Sequence, residues 1–202
     1  MSKMQTIKAA LLGYGTVGSG IYELVRRRTD EIPHKTGAAL EISKILVRDA
    51  KKARKGAPAE VFTDSWKEII EDKEIAVVIE VMGGIEPART YILEALRAGK
   101  QVVTANKDLL AVHGKELFEA AKEHRCDLMF EAAVAGAIPI IRPLKEGLAG
   151  NHITEIMGIV NGTTNYILTE MSQGGVDFET ALKDAQEKGY AERNPEADVE
   201  GY

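Results

Sequence analysis

The segment Thr6–Leu12 is short and apolar, and it runs directly into Gly13-Tyr14-Gly15-Thr16-Val17-Gly18, a G-x-G-x-x-G pattern. Alone the pattern is weak, because glycines are common in turns. Between a strand and a helix it constrains the fold far more. The first glycine permits a tight turn, the second lets the backbone approach a pyrophosphate, and the third lets helix and strand pack closely. The helix N-terminus adds dipole and free N–H groups that suit an anion. The competing reading is a plain turn between strand and helix.

Beyond the glycines, Val17, Ile21, Leu24 and Val25 sit at helical spacing and predict one apolar face. The helix runs into Arg26-Arg27-Arg28, where the macrodipole favours cations. Further strands are expected at 40–47, 61–63, 75–81, 101–105 and 127–134. Helices are expected at 65–70, from Pro87 to just before Gly99 with Ala88, Ile92, Ala95 and Leu96 inward, and at 108–124 with Leu110, Leu117, Phe118 and Ala121 inward. Short apolar runs alternating with helices imply a parallel sheet covered on both faces, an α/β fold of the doubly wound, Rossmann type. That domain is assigned to 1–137. From residue 138 the pattern changes: a helix-like IPIIRPLKEGL, a strand at 153–160, NGTTNYILTEMSQGG, an amphipathic helix at 178–188 and a polar stretch. Residues 138–202 read as the incomplete beginning of an α+β substrate and dimerisation domain.

Charge and composition narrow the function classes. Lys and Arg number 26 against 31 Asp and Glu, so a net charge of −5 gives no support to nucleic-acid binding. Cys126 is the only cysteine, which leaves no intrachain disulfide and no CxxC metal or redox site. The longest uncharged apolar stretch, 132–141, is far below the ~20 residues that span a bilayer. A cytoplasmic, soluble protein is expected. His34, His113, His124 and His152 lack ligand spacing and read as surface or structural residues, and Trp66 and Cys126 as packing residues.

The turns after the strands carry the chemistry. An acidic residue after the second strand would hydrogen-bond the ribose of NAD. Here Arg48 and Asp49 stand together, with Lys51, Lys52, Arg54 and Lys55 following. Arg48 suits the 2′-phosphate of NADP and Asp49 suits NAD; the basic surroundings incline toward NADP. A solvated basic turn is the plainer alternative. Met82-Gly83-Gly84 and Thr104-Ala105-Asn106-Lys107 end two later strands, and ligands of open parallel sheets lie outside such ends. Lys107 stands just before a helix, at an N-terminus where a cation opposes the dipole, so substrate or catalytic work is expected of it.

With these motifs in order, the sequence resembles the homoserine dehydrogenases. The likeness is carried by GYGTVGSG, VRD, VVIEVMGG, VVTANK, FEAAVAGAIPII, IVNGTTNYIL and GYAERNPEADVEGY, which together cover essentially the whole chain. The resemblance implies an oxidoreductase that interconverts L-aspartate 4-semialdehyde and L-homoserine with NAD(P)H, on the route to threonine, methionine and isoleucine. It implies cofactor contacts at Gly13, Gly15, Thr16, Val17, Gly18, Arg48, Gly83, Thr104, Lys107 and Gly189. It implies substrate contacts at Gly162, Thr163, Glu192 and Asp198, and a catalytic part for Lys107. Glu131, Val134, Gly136 and Ile138 match the family's monovalent cation site, where oxygen ligands suit sodium; the alternative is a Glu131 satisfied by backbone N–H groups.

The family's proton-transferring lysine falls beyond Tyr202, so these 202 residues are expected to be an N-terminal portion that does not turn over alone. The full-length protein is expected to be a homo-oligomer acting on a small molecule, away from nucleic acid and membranes. Two other readings remain: a nucleotide-binding module without turnover, and another small-aldehyde dehydrogenase of the same plan.

Overall fold

Strand β1, Thr6–Leu12, divides its apolar residues between two faces, which is why its sequence is nearly continuous in apolar residues. Ala9 and Leu11 pack with Val25, Ile42, Ile45 and Phe62 on one side. Ala10 and Leu12 pack with Val78, Ile92, Leu96, Val102 and Leu117 on the other. In the computed structural model the described residues are 4–159, 161–191 and 195–200, with only the backbone of Ala197.

Helices α1 (Thr16–Arg27) and α2 (Glu31–Thr36) follow β1 and lead to β2 (Ala39–Leu46). A short 3-10 turn, Ala59–Val61, precedes β3 (Phe62–Thr63), α3 (Trp66–Ile70) and β4 (Ile75–Glu80). Then come α4 (Ala88–Arg97), β5 (Gln101–Thr104), α5 (Lys107–Glu123) and β6 (Leu128–Met129). The six strands form one sheet in the order β3-β2-β1-β4-β5-β6, and every pairing is parallel. The chain leaves β1 in one direction to make β2 and β3 and in the other to make β4 to β6. The strand order therefore reverses between β1 and β4, where doubly wound folds bind ligands. The expected α/β class and count of six strands are borne out.

Three local expectations change. Helix α1 buries Gly18 and Val25, with Ile21 and Tyr22 partly covered, while Val17 and Leu24 are exposed. The glycine at 18 is what brings the helix against β1, and it turns the buried face about one residue away from Val17. In α5 the buried residues are Leu109, Gly114, Leu117, Ala120 and Ala121, and Phe118 is exposed at the surface. The strand expected over 127–134 is only two residues long. Phe130 leaves the extended region, Glu131–Ala133 forms a 3-10 turn, and Ala135 and Ala137 are left-handed. This edge strand pairs on one side only, through Val102 and Val103.

The chain divides into two compact units, Met1–Lys145 and Glu146–Tyr202. In the second, α6 (Gly162–Thr169), α7 (Phe178–Glu187) and the short α8 (Glu196–Val199) enclose a small core of Ile167, Ala181, Ala185 and Ala191. The strand expected at 153–160 is not formed in the described part, 153–159; no strand pairs with it among the described residues. Ile153, Ile156, Met157 and Ile159 are all exposed. An extended segment needs a partner ladder to become a strand.

Candidate functional site: a nucleotide cleft at the sheet's switch point

The glycine loop emerges from β1 and starts α1, and each of its glycines meets a different constraint. Gly13 has φ 102°, and a Cβ there would stand 3.0 Å from the Val81 carbonyl oxygen. At Gly18 a Cβ would lie 2.2 Å from the Gly13 carbonyl oxygen, so helix and strand close together only without one. A Cβ at Gly15 would meet nothing within 4 Å, because that residue faces open space. The loop thus keeps its middle glycine clear, as a backbone approach by an anion requires.

That space is a cleft of about 620 Å³ at the carboxyl ends of β1, β2 and β4. Gly13, Gly15, Arg48 and Gly83 line it, four of the ten expected cofactor contacts. Thr16, Val17 and Gly18 belong to the first turn of α1, directly behind it. The β2 end is basic: Arg48, Lys52 and Arg54 line the cleft beside Asp49 and Asp64. Their commitments differ. One carboxylate oxygen of Asp49 accepts from its own turn, the Lys51 N–H at 2.9 Å. Arg54 donates to the carbonyls of Asp49 and Lys52 at 2.7 and 2.9 Å and lies over the Phe62 ring. Arg48 makes no hydrogen bond or ion pair among the described residues. Of the three cations, Arg54 shapes the turn and Arg48 is left for a ligand.

Tyr14, inside the glycine loop, holds this basic turn from the other side. Its hydroxyl donates to the Lys55 carbonyl at 3.2 Å and its ring meets Phe62 edge-on at 5.0 Å. Burial pushes the Tyr14 phenol above its usual range. Sequence reasoning passed over Tyr14, although an aromatic between two glycines was a visible signal.

On the β4 side the turn 81–84 borders the cleft, and Gly83 and Gly84 are both left-handed. Lys107 is the first residue of α5, exposed and with no partner among the described residues. It does not line the cleft. Thr104 is fully buried: its hydroxyl donates to Glu80 at 2.6 Å and accepts from the Asn106 N–H at 3.1 Å. Its hydroxyl is thus committed inside the sheet, and no part of Thr104 is exposed.

Glu131 follows the alternative weighed for it. One carboxylate oxygen accepts from the Ile140 and Ile141 N–H groups at 2.6 and 2.9 Å, the other from Arg142 N–H at 2.8 Å. The Arg142 amide first, then that of Ile140, holds its carboxyl below the usual range. The carbonyls of Val134, Gly136 and Ile138 accept no hydrogen bond among the described residues, so the loop offers main-chain oxygens rather than a carboxylate. Oxygen donors of this kind suit a hard cation. No group of three or more His, Cys, Asp or Glu able to hold a metal occurs among the described residues.

In the second unit Asn161 caps α6, accepting from Thr164 N–H at 2.9 Å, and its amide donates to Asp198 at 2.9 Å. Gly162 opens that helix, and Thr163, buried, donates to the Tyr190 carbonyl at 2.7 Å. Gly189 has φ 76° just past α7, the conformation that ends a helix. Glu192 lies outside the described residues. Trp66 stacks on Tyr91 at 4.5 Å and Cys126 is half-buried, as their packing roles required.

A six-stranded parallel sheet, a G-x-G-x-x-G loop at its switch point and a basic turn after β2 mark a dinucleotide-binding domain. Family models narrow the class. The one described as "Homoserine dehydrogenase, NAD binding domain" matches residues 13–131, and the one described as "Homoserine dehydrogenase" matches 139–202. The chain belongs to the homoserine dehydrogenase family. It is 50% identical over 199 residues to the homoserine dehydrogenase of Bacillus subtilis, covering 98% of this chain and 46% of that protein. A homoserine dehydrogenase crystal structure from Thiobacillus denitrificans superposes with a TM-score of 0.88 at 44% identity, over 97% of this chain and 46% of that one. A hyperthermophilic archaeal homoserine dehydrogenase in complex with NADPH superposes at 0.81, with 29% identity, over 98% of this chain and 66% of that one. The chain spans about half the length of the curated relatives it matches. No described helix is long and apolar enough to cross a membrane.

Proposed function

We propose that this chain supplies the cofactor domain and part of the substrate domain of an enzyme interconverting L-aspartate 4-semialdehyde and L-homoserine. The observation that carries the reading is the open cleft at Gly15, set between the helix N-terminus and the uncommitted Arg48. The dinucleotide, when bound, supplies the hydride. Gly13, Gly15 and the first turn of α1, with Thr16, Val17 and Gly18, hold its pyrophosphate. Gly83, Thr104 and Lys107 border its reactive half, and Gly189 is a further contact.

Arg48 selects NADP over NAD, because its guanidinium is free while one oxygen of Asp49 is already bound by its own turn. The solved relative with NADPH supports that choice. Lys107 acts at the substrate's reacting oxygen, where an ammonium stabilises the charge that builds as hydride arrives. Gly162, Thr163, Glu192 and Asp198 hold the amino acid. The carbonyls of Glu131, Val134, Gly136 and Ile138 hold a monovalent cation, with sodium the expected ion. The first domain ends near residue 137, and the enzyme works in the cytoplasm as a homo-oligomer.

The test is NADPH oxidation by the full-length protein with L-aspartate 4-semialdehyde and with other small aldehydes. Turnover confined to the semialdehyde is the expected result. Equal rates with unrelated aldehydes, or none with the semialdehyde, would overturn the assignment.

A further inference from the structure

Glu80 is a carboxylic acid at the end of an otherwise apolar central strand, and it is fully buried. No Lys, Arg or His pairs with it among the described residues. One carboxylate oxygen accepts from the Met82 and Gly83 N–H groups at 2.8 and 3.3 Å, and the other from the Thr104 hydroxyl at 2.6 Å. Three donors thus converge on this one side chain. The chain of bonds continues: Thr104 accepts from the Asn106 N–H, and the Asn106 amide oxygen accepts from Leu109 N–H at 3.1 Å. That cap fixes the amide's orientation, so its NH₂ donates to the Gly84 carbonyl at 2.6 Å. The bonds close a ring from the turn after β4 to the start of α5 and back.

The ring decides which way the turn's polar groups point. Gly83 directs its N–H inward to Glu80, and Gly84 its carbonyl inward to Asn106, with both residues left-handed. The Gly83 carbonyl and Gly84 N–H make no bond within the described residues and are left for a ligand. Lys107 rides on the same ring, one residue after Asn106. With the pyrophosphate on α1, the adenosine half of a dinucleotide lies toward β2 and the nicotinamide half toward β4.

We infer that Glu80 is a positioning residue for the nicotinamide half of the cofactor: through Thr104 and Asn106 it sets the Gly83–Gly84 turn and the first turn of α5. The inference rests on the dinucleotide reading above. It separates two halves of one ligand, which gives the test a readout that a merely structural role would not move.

Calorimetry on the chain compares NADPH with ADP, a probe of the adenosine half, for wild type, Glu80→Gln, Thr104→Val and Thr104→Ser. In Glu80→Gln the amide places a donor where an acceptor is needed. Thr104→Val removes the hydroxyl at nearly constant volume, and Thr104→Ser restores it. Glu80→Gln and Thr104→Val are expected to weaken NADPH about five- to tenfold, the scale of one broken buried hydrogen bond. Thr104→Ser should stay within about twofold of wild type, and ADP should bind all four proteins alike, because the lost bond lies away from its site. If Glu80→Gln does not fold, the Val and Ser pair carries the same comparison. Unchanged NADPH affinity in Thr104→Val, or parallel losses for ADP and NADPH, would overturn the positioning role. A wild type that binds NADPH no better than ADP would instead overturn the dinucleotide reading, and this inference with it.

Discussion

Gly18 and Arg48 show how differently single residues act in the cleft. A methyl at position 18 must displace the Gly13 carbonyl, which belongs to the backbone and has little room to yield. Gly18→Ala should therefore cost about 1–3 kcal/mol, as overpacking does, and lower the melting temperature by several degrees. A melt within one degree of wild type would mean that helix and strand separate easily here. Arg48 bears on the ligand alone. A charge-assisted contact to the 2′-phosphate is worth about 1.5–3 kcal/mol, so Arg48→Ala should weaken NADP roughly ten- to a hundredfold and leave NAD nearly unchanged. Equal losses for both would assign Arg48 to stacking on adenine.

At the same scale, the residues legible in the sequence were those whose type contradicts their place: glycines after a strand, an arginine at a strand's end, a lysine opening a helix. Thr104 was harder to read, because strand alternation does not reveal that its hydroxyl turns into the sheet toward Glu80. Tyr14 and Asn106 act through long-range bonds to main-chain oxygens at 55 and 84, and no local pattern encodes those.

Elements were read well where apolar runs are strong and less well where a helix's rotation depends on one close contact. Ala88, Ile92, Ala95 and Leu96 of α4 are all buried as periodicity required. In α1 the Gly18 contact rotates Val17 and Leu24 outward, a tertiary effect that spacing alone does not carry. The loop after β6 is held by Glu131 rather than by strand pairing, and this gives it a pH dependence. Backbone donors lower the folded-state pKa of Glu131 below its ordinary 4.5. Its contribution is therefore complete above that value and is lost as pH falls through the folded pKa. Melts of wild type and Glu131→Gln should differ most at neutral pH and converge in acid below 4.5. A gap that widens in acid would contradict that role.

Across the whole molecule, the first unit presents the cleft and Lys107, and the second carries the capped helix α6, with Asp198 bonded to Asn161. The sheet order and glycine loop build the cleft, and the family's matched segments run over both units. For the full-length enzyme, Lys107→Ala should lower kcat on the order of 10²-fold, the usual scale for losing one group that stabilises an oxyanion. NADPH affinity should change far less, because Lys107 lies outside the cleft lining. An unchanged kcat would leave Lys107 as a surface residue.

The most direct test of the account is a calorimetric titration of this chain with NADPH beside its Gly15→Leu variant. A Cβ at position 15 meets nothing within 4 Å and φ there is −84°, so the variant should fold and melt like wild type. Its isobutyl group would occupy the space that a pyrophosphate needs against the helix N-terminus. The account predicts saturable one-site binding by wild type and none by the variant at equal thermal stability. Equal NADPH affinity in the two proteins would contradict it.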